Sequence, residues 1–449
     1  MSNSAAVLVE QHRHFLMPWS VQETGHQAPV IERADGVSLI DTQGRKYFDL
    51  SSGWVSTNLG HGDKHVIAAI KNQLDRLCFA PPNFVIDTRA EFVEALCKLA
   101  PWKEGARVHF TSGGADANDD AVKIARMLTG RHKVLTAYRS FHGSSSGASS
   151  LTGGNRRWPA EPAAPGGVIH FFAPYPYRSP FHTDDPKEEV ARGLEHVERI
   201  ILQENPANVA ALLLEPVVGS DALVVYPEGY LKGLRALTEK YGILLIHDEV
   251  MTGFGRVGEA FASIRFGVTP DLMTFAKGVA SSYVPLAGVL VRESLAKHFD
   301  KHAFMLGHTY SGHPLAMAAG LGALASYKEG DLFQRPYEIE KWLREEMAAL
   351  AERFTVIGDW RGIGAFFGIE FVRDRKTKEP VVAWQGAGGH GVMGEFYRAL
   401  LDAGVWVSGK YSIVVIAPPL IITREELRDA FRIIARTLSA FEGRMLAAG

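Results

Sequence analysis

The stretch that decides the fold is ILLIHDEV, residues 243–250. Its first four residues, Ile243–Ile246, are typical of a strand that is buried on both faces of a parallel sheet. Ligands of open α/β sheets bind beyond the carboxyl ends of the strands, which is where Asp248 and Glu249 follow. A carboxylate there can pair with a protonated ring nitrogen, although a helix cap or a solvated loop explains an isolated Asp-Glu pair better.

Strand-like and helix-like segments alternate on both sides of this stretch. The predicted strands are Arg107–Phe110, Lys133–Ala137, Val209–Leu214, Ile243–Ile246, Leu272–Phe275 and Leu286–Val291. Helical periodicity covers Ala115–Leu128 and Glu228–Tyr241, and Gly242 is the expected end of the second helix. This alternation predicts an α/β fold with a large, mostly parallel sheet that is covered by helices.

The chain changes character near Gly330, after which long charged helices alternate with strand-rich sequence. We therefore predict a large domain at residues 61–330 and a smaller α+β domain at residues 331–449. Residues 1–60 contain two hairpin-like pieces, Val37–Asp41 and Lys46–Leu50, and are predicted to join the small domain. The proline- and aromatic-rich segment Glu161–Pro186 is interpreted as a long ordered excursion.

Composition narrows the class of protein. The 449 residues carry a formal net charge of -2, which argues against non-specific binding to nucleic acid or to a membrane surface. The two cysteines, Cys78 and Cys97, lack metal-ligand spacing and favour a reduced, cytoplasmic protein without a metal site. The sequence shows no signal-peptide pattern and no apolar run of the roughly 20 residues that a membrane-spanning helix needs.

A cluster of small residues, Thr111–Asn118, lies between a predicted strand and a predicted helix. Small side chains let backbone N–H groups approach an anion closely, and the dipole of the helix adds about 0.3–2 kcal/mol. The pattern indicates a phosphate cradle. A tight turn with Asp116 in the first helical turn is the alternative, and it is the better explanation of a glycine-rich turn taken alone.

Lys277 ends another predicted apolar strand, Leu272–Phe275. Burial favours the neutral amine, which is the form that attacks carbonyl carbons. The alternative is a lysine that reaches solvent along its apolar stem, as most lysines do.

Together these three features supply what pyridoxal 5′-phosphate (PLP) chemistry needs, namely an amine, a carboxylate for the ring nitrogen and a phosphate cradle. They follow one another along the chain, each at the end of a predicted strand. The combination predicts a PLP enzyme.

With its further motifs the chain resembles the class III, or ω-, aminotransferases of PLP fold type I. The matching motifs run through nearly the whole chain in the order of that family: Asp49–Trp54, Ser112–Asn118, Phe141–Gly143, Glu215–Val217, Asp248–Val250, Gly253–Arg256, Lys277-Gly278, Gly307–Pro314 and Ala417–Leu420. The resemblance implies a PLP-dependent aminotransferase that forms a homodimer, or a tetramer built from such dimers.

The resemblance also implies which residues bind the cofactor. Lys277 would form the Schiff base with PLP and later carry the proton, and Asp248 would bind the pyridine nitrogen. Gly114 and Ala115 would donate backbone amides to the phosphate. Thr309 would reach the phosphate that the neighbouring subunit binds.

The remaining expected contacts surround the ring and the substrate. Phe141 would stack on one face of the ring, and Val250 would pack on the other. His142 and Glu215 are expected beside the cofactor, and a buried carboxylate that fixes the end of the sheet is the alternative role of Glu215. The residues expected in the substrate pocket are Trp54, Phe84, Phe141 and Ser408.

Four positions depart from the family pattern. Asp116 stands where glutamate is usual, and Phe141 stands where tyrosine is common. Ser408 stands where the family usually has an arginine that binds the substrate carboxylate, and Ser220 stands where aminobutyrate-type relatives place the glutamate that pairs with that arginine. Lys410 is two residues from Ser408 and offers a substitute charge if it shares the same face of the strand.

The sequence thus predicts an ω-aminotransferase that moves an amino group from an amine or ω-amino acid to a keto acid, with pyruvate as the expected acceptor. A PLP-dependent aminomutase or decarboxylase of the same fold is the nearest alternative. A non-catalytic phosphate-binding protein is another. A metal hydrolase built on His247, Asp248 and Glu249 is disfavoured, because adjacent residues on a strand point to opposite faces.

Overall fold

A computed structural model describes residues 5–22, 28–221, 223–384 and 391–448. Its central feature is a seven-stranded sheet. In order across the sheet, the strands are Ala106–Thr111, Ala287–Arg292, Leu272–Phe275, Leu244–Asp248, Val209–Leu214, Lys133–Ala137 and Val168–Phe171. Strand Ala287–Arg292 is antiparallel to both of its neighbours, and the other pairs are parallel. The predicted mostly parallel sheet is therefore confirmed.

The middle of the sheet is apolar on both faces, as strand Val209–Leu214 illustrates, since all six of its residues are buried. Ala211 and Leu213 belong to the apolar cluster under helix Gly114–Thr129. Leu212 and Leu214 belong to the cluster under two helices on the other face, Pro186–Gln203 and Tyr230–Tyr241. Each fully buried leucine contributes about 1.5–3 kcal/mol relative to an exposed one, so this strand stabilises the packing of helices on both faces of the sheet.

Two predicted boundaries in this region can be compared with the structure. Helix Tyr230–Tyr241 ends at Gly242, whose φ of 60° lies in the left-handed region, as predicted. The predicted strand end at Ile246 is wrong by two residues, because the strand continues through Asp248, which pairs with Thr274. The carboxylate of Asp248 is therefore held by the sheet itself and not by a loop.

Residues 161–186, interpreted as a long ordered excursion, contain a short strand that was not predicted. Val168–Phe171 forms the edge strand of the central sheet and pairs in parallel with Lys133–Ala137. Only the last of its four residues is buried. A strand this short, flanked by glycines and prolines, leaves too few apolar residues for a period to be recognised.

The two ends of the chain meet in smaller sheets. Lys46–Asp49 pairs in parallel with Val405–Trp406, with Phe48 opposite Val405. The four-stranded sheet has the order Ile31–Asp35, Ser38–Asp41, Lys46–Asp49 and Val405–Trp406. The five-stranded sheet has the order Ile357–Ile363, Phe366–Asp374, Ile413–Ile416 and Ser408–Lys410, with Glu379–Pro380 paired to Phe366–Asp374. Val217–Val218 and Val224–Val225 form a hairpin of their own. The domain boundaries at residues 60 and 330 stay a prediction.

The remaining helices are Ala5–His12, Ser52–Val55, Lys64–Arg76, Asp87–Leu99, Ser146–Leu151, Ala262–Phe266, Glu293–Ala296, Pro314–Glu329, Pro336–Arg353, Gly391–Asp402 and Arg424–Leu446. Short 3-10 turns lie at Asn155–Ala163, Pro176–Arg178, Pro206–Asn208, Lys277–Val279 and Lys297–Asp300. None of the helices in the described part of the chain combines the length and the apolar character that crossing a lipid bilayer requires.

Candidate active site

Asp248 lies buried at the carboxyl end of strand Leu244–Asp248. Its Oδ2 accepts a hydrogen bond from Asn118 Nδ2 at 2.8 Å and lies 2.7 Å from His142 Nδ1. Its Oδ1 accepts the backbone N–H of Val250 at 3.0 Å. These contacts fix the orientation of the carboxylate from three separate segments of the chain.

Asn118 is a site residue that the sequence analysis did not single out, although it lies in the predicted phosphate cradle. Its side-chain amide donates to Asp248 and also to the carbonyl oxygen of His142, both at 2.8 Å. Its own oxygen accepts the hydroxyl of Thr274 at 2.8 Å. Asn118 therefore connects the cradle to the ends of the two neighbouring strands that carry Asp248 and Thr274.

Lys277 begins the short turn Lys277–Val279, just beyond strand Leu272–Phe275. Its φ of 51° lies in the left-handed region, which costs a non-glycine residue of order 1 kcal/mol and is found preferentially at functional sites. Burial lowers the pKa of the Lys277 ammonium to about 8, although the charges of Asp248 and Glu215 act in the opposite direction. The structure therefore brings the amine and the two carboxylates into one site.

If Lys277 forms the expected Schiff base with PLP, its lowered pKa predicts the pH dependence of that step. Only the neutral amine attacks the aldehyde carbon, so the rate of covalent capture is expected to rise with pH up to about 8 and to level off above it. For an exposed lysine, the midpoint of this rise in rate would lie at a pH of about 10.4. Stopped-flow absorbance over a range of pH values measures this midpoint. A midpoint above about 10 would contradict the assignment of Lys277, and Lys277→Ala is the control without capture.

Neighbouring segments of the chain pack closely against the start of helix Gly114–Thr129. The N-cap residue is Gly113, which has no side chain that could cap the helix. A Cβ atom at Gly114 would meet both methyl groups of Val250 at 3.1 Å. At Gly143, whose φ is 140°, it would meet the Cβ of Ala115 at 2.4 Å. The two glycines are therefore required by close packing, and because no side chain caps the helix, the backbone N–H groups of its first turn are left for an anion, which the helix dipole favours.

Glu215 supports Phe141 through the backbone. Its Oε1 accepts the N–H of Phe141 at 3.0 Å, and its Oε2 accepts the N–H of Gly219 at 2.8 Å. Burial raises the pKa of Glu215 to about 7. The carboxyl group is therefore a buried anchor that fixes where the ring of Phe141 lies.

Arg156 and Trp19 are two further residues that the sequence analysis missed. The guanidinium carbon of Arg156 lies 3.6 Å from the ring centroid of Phe141 and 5.5 Å from that of Trp19. Its Nη2 donates to the hydroxyl of Ser220 at 2.7 Å, while its buried Nε has no partner among the described residues. Burial lowers the pKa of Arg156. A guanidinium with unsatisfied donors thus lies beside the ring of Phe141.

The family model for aminotransferase class-III matches residues 20–438. The chain belongs to the class III aminotransferases. The predicted family and the predicted enzyme class are confirmed.

Known proteins similar to this class III aminotransferase cover nearly its whole length. It is 34% identical to a probable aminotransferase of Mycobacterium tuberculosis, over 98% of this chain and 96% of the relative. A solved taurine:2-oxoglutarate aminotransferase from Bifidobacterium kashiwanohense is 37% identical, with a TM-score of 0.95 over 99% of this chain and 100% of the other. An (S)-enantioselective ω-transaminase from Thermomicrobium roseum is 36% identical, with a TM-score of 0.92 over 98% and 99%. PLP fold type I is therefore confirmed.

Class III aminotransferases use PLP, and the residues of this aminotransferase fit that cofactor. Lys277 provides an amine whose pKa burial lowers to about 8. Asp248 provides a carboxylate that its neighbours hold in place, and helix Gly114–Thr129 provides a start that no side chain caps. When it is bound, PLP supplies an electron sink for the electron pair that proton removal leaves on the substrate carbon.

Ser408, which stands where the family usually has an arginine, is hydrogen-bonded to Ser51 in this aminotransferase. The backbone N–H of Ser408 donates to Ser51 Oγ at 2.7 Å, and the two hydroxyl oxygens lie 3.0 Å apart. The sequence offers Lys410 as a substitute for the charge of the missing arginine, but the ammonium of Lys410 pairs with Asp221. The cation of Lys410 is therefore already compensated, whereas the buried Nε of Arg156 has no partner among the described residues.

Three predicted residues lie on the surface of the single chain. The side chains of Trp54, Phe84 and Thr309 are all exposed. The ring of Trp54 packs edge-on against Trp406 at a centroid distance of 5.9 Å. The carbonyl oxygen of Phe84 accepts a hydrogen bond from Arg89 at 2.6 Å. Their roles in a pocket or at a phosphate stay predictions.

The arrangement of His247 and Glu249 disfavours the metal hydrolase alternative. His247 Nδ1 lies 2.9 Å from the hydroxyl oxygen of Ser263, and Glu249 accepts the backbone N–H of Ser263 at 2.7 Å. Asp248 has none of these partners and bonds Asn118 instead. The two outer residues of the triplet are therefore engaged with one serine, away from the contacts of Asp248.

Proposed function

We propose that this class III aminotransferase is an ω-aminotransferase whose donor carries an anionic group, a carboxylate or a sulfonate, at the end remote from its amine. The observation that carries the proposal is the guanidinium of Arg156 beside Phe141, with a buried Nε that has no partner among the described residues. A guanidinium pairs with planar or tetrahedral anions through two parallel hydrogen bonds.

The predicted cofactor contacts belong to the same proposal. Lys277 holds PLP covalently, and Asp248 faces its ring nitrogen. Gly114 and Ala115 donate to the phosphate, while Phe141 and Val250 enclose the ring. His142 is 2.7 Å from Asp248 and orients that carboxylate, and Glu215 orients Phe141.

Lys277 also performs the proton transfer. Because burial lowers its pKa to about 8, the neutral amine is available at neutral pH to take the proton from the substrate carbon that bears the amino group. The ammonium that results would deliver this proton to the carbon of PLP that had carried the aldehyde. A general base works best when its pKa is close to the working pH. Asp248 would hold the ring nitrogen of the bound cofactor.

The acceptor is a keto acid, and two candidates follow from two different residues. Pyruvate is the acceptor predicted from Ser408, since no arginine stands there for the carboxylate of a longer diacid. Arg156 favours 2-oxoglutarate as a second candidate, because donor and acceptor occupy the same pocket in turn. The taurine:2-oxoglutarate aminotransferase that resembles this chain is named for a sulfonate donor and that acceptor.

Exposed apolar side chains support the homodimer. Val85 and Met305 are 93% and 79% exposed on the single chain. The segments that carry them are joined by an edge-on contact between Phe79 and Tyr310 at 6.2 Å. Highly exposed apolar side chains on two segments that touch are consistent with an interface. A second subunit covering it would bring Phe84 and Thr309 into the region between two active sites.

A substitution of Arg156 tests the donor class. Arg156→Leu is expected to raise KM for an ω-amino sulfonate or carboxylate about 10–100-fold, which corresponds to a lost charge-assisted hydrogen bond of about 1.5–3 kcal/mol. An uncharged amine of similar size should change by less than about threefold, since it makes no such bond. The loss of PLP absorbance in the half-reaction with each donor gives both values.

The matched control is the neighbouring Arg157, which bonds Glu161 and the carbonyl oxygen of Gly153 instead. Arg157→Leu should leave the preference between the two donors unchanged. Equal losses for charged and uncharged donors in Arg156→Leu would mean that Arg156 only stabilises the fold. Running the second half-reaction with pyruvate and with 2-oxoglutarate then decides the acceptor.

A further inference from the structure

The buried carboxylate of Asp120, which is not among the proposed cofactor or substrate residues, joins three segments of the chain. The side chain of Asp120 is 1% exposed. Its Oδ2 lies 2.9 Å from His109 Nε2 and 2.6 Å from His308 Nε2, and its Oδ1 accepts from Lys123 Nζ at 2.9 Å. An ionised carboxylate only accepts hydrogen bonds, so both imidazoles donate through Nε2. We call His109, Asp120 and His308 the Asp120 cluster.

The negative charge of Asp120 is balanced by the ammonium of Lys123. One ring nitrogen of each histidine and one carboxylate oxygen of Asp120 lie within 4.8 Å of one another, which is close enough to hold a metal ion. However, the ammonium of Lys123 already occupies the second oxygen of Asp120. Burial alone would raise the pKa of Asp120, but the bonds from His109, His308 and Lys123 outweigh it and hold that pKa well below its usual range. The cluster is therefore a hydrogen-bonded clamp.

The Asp120 cluster fixes a segment that has no regular structure of its own. Residues 303–308 are neither helix nor strand. His308 is the member of the cluster on that segment, and its carbonyl oxygen accepts the N–H of Ser311 at 3.0 Å. This bond closes a turn with Thr309 and Tyr310 in the middle. Anchoring the imidazole of His308 therefore determines where Thr309 lies.

The other two members of the cluster are rigid. His109 lies on strand Ala106–Thr111 of the central sheet, and its ring packs edge-on against Phe304 at 5.0 Å. Asp120 lies in the second turn of helix Gly114–Thr129. The first turn of that helix is the proposed cradle for the phosphate of its own subunit.

We infer that Asp120 is a positioning residue for the other active site of the dimer: through His308 it holds Thr309 in place for the phosphate that the partner subunit binds. The inference rests on the proposed homodimer and on the proposed role of Thr309, but not on the proposed substrates. Helix Gly114–Thr129 would then act on two phosphates. Its first turn binds the phosphate of its own subunit, and its second turn, through Asp120, acts on the phosphate of the partner subunit.

The experiment compares PLP with pyridoxal, which lacks the phosphate, in equilibrium binding to the apo dimer. Asp120→Asn keeps the shape of the side chain but loses the charge that holds both imidazoles. It is expected to weaken PLP binding about tenfold and pyridoxal binding by less than about twofold. Equal losses for both ligands would overturn the inference, since a general loosening of the fold does not depend on the phosphate. Lys123→Met, which removes the exposed partner of the same carboxylate, is the control and should bind PLP as the wild type does.

A double-mutant cycle keeps the inference testable if Asp120→Asn folds poorly. Thr309→Val should show the same phosphate-dependent loss, and adding His308→Gln to it should weaken PLP binding no further, because both changes remove one contact. Additive losses would overturn the inference. Because PLP binding needs neither donor nor acceptor, this result is independent of the substrate proposal.

Hybrid dimers identify the subunit in which Asp120 acts. In one hybrid, a subunit with Asp120→Asn and Lys277→Ala is paired with a wild-type subunit. In the other, a subunit with Asp120→Asn is paired with one that carries Lys277→Ala. Covalent PLP binding at the remaining Lys277 should be weakened in the first hybrid and normal in the second. The reverse pattern would overturn the inference.

Discussion

Lys277→Ala is expected to lower the rate of amino transfer by at least about 10²–10⁴-fold, which is the contribution of a positioned acid–base residue. The substitution removes the group that takes and returns the proton, and it also removes the covalent hold on PLP. Single-turnover absorbance with excess donor measures the rate of proton removal directly.

The same lysine can be identified by chemistry. Borohydride reduction of the holoenzyme, followed by peptide mapping, should place the PLP label on Lys277. A label on another lysine, or a single-turnover rate of Lys277→Ala close to that of the wild type, would refute the assignment. PLP absorbance that the variant retains without a covalent bond shows that the rest of the site is intact.

Asp248→Asn is expected to slow proton removal by roughly two to three decades. Breaking a buried charge pair costs about 3–5 kcal/mol, and each 1.36 kcal/mol in the barrier is about tenfold in rate. The amide keeps the size of the side chain, but it has only one acceptor oxygen, so the substitution removes the negative charge together with the hydrogen bond at one of the two oxygens. The rate is again measured in a single turnover.

Asp271 offers a matched control on the neighbouring strand. It is also buried, and it accepts hydrogen bonds from Arg235 and from the N–H of Leu245, both at 2.8 Å. It precedes Leu272 and therefore lies at the amino end of a strand, away from Lys277. Asp271→Asn should reduce thermal stability and leave proton removal in the folded enzyme unchanged. A rate for Asp248→Asn within a few-fold of the wild type would mean that another group holds the ring nitrogen.

The catalytic pair could be predicted from the sequence because its signal is local. An apolar run followed at once by a polar or charged residue marks the carboxyl end of a buried strand. Asp248 and Lys277 both follow such runs, and Gly114 follows a third. The structure brings the amine and the carboxylate of Lys277 and Asp248 into one site, since neighbouring parallel strands end on the same side of the sheet.

The substrate side of the site could not be predicted in the same way. Arg156 lies in a proline-containing 3-10 turn and Trp19 near the start of the chain, where no periodicity marks them. They meet at Phe141 only through packing between segments far apart in sequence. Comparison with the family pattern drew attention to Ser408, whose hydroxyl lies beside that of Ser51. Arg156, the residue proposed to bind the substrate anion, is far from Ser408 in the sequence, so the family pattern around Ser408 does not point to it.

The union of the two chain ends in one sheet also bears on how the protein is made. Ser51 and Ser408 are hydrogen-bonded across 357 residues of sequence. At about 5–20 residues per second, the ribosome needs roughly 20–70 s to add that length. Throughout this time strand Lys46–Asp49 has an unpaired edge, since its partner Val405–Trp406 has not yet been synthesised. Unpaired edges are where nascent chains aggregate. The first sheet to emerge from the ribosome is thus among the last to be completed.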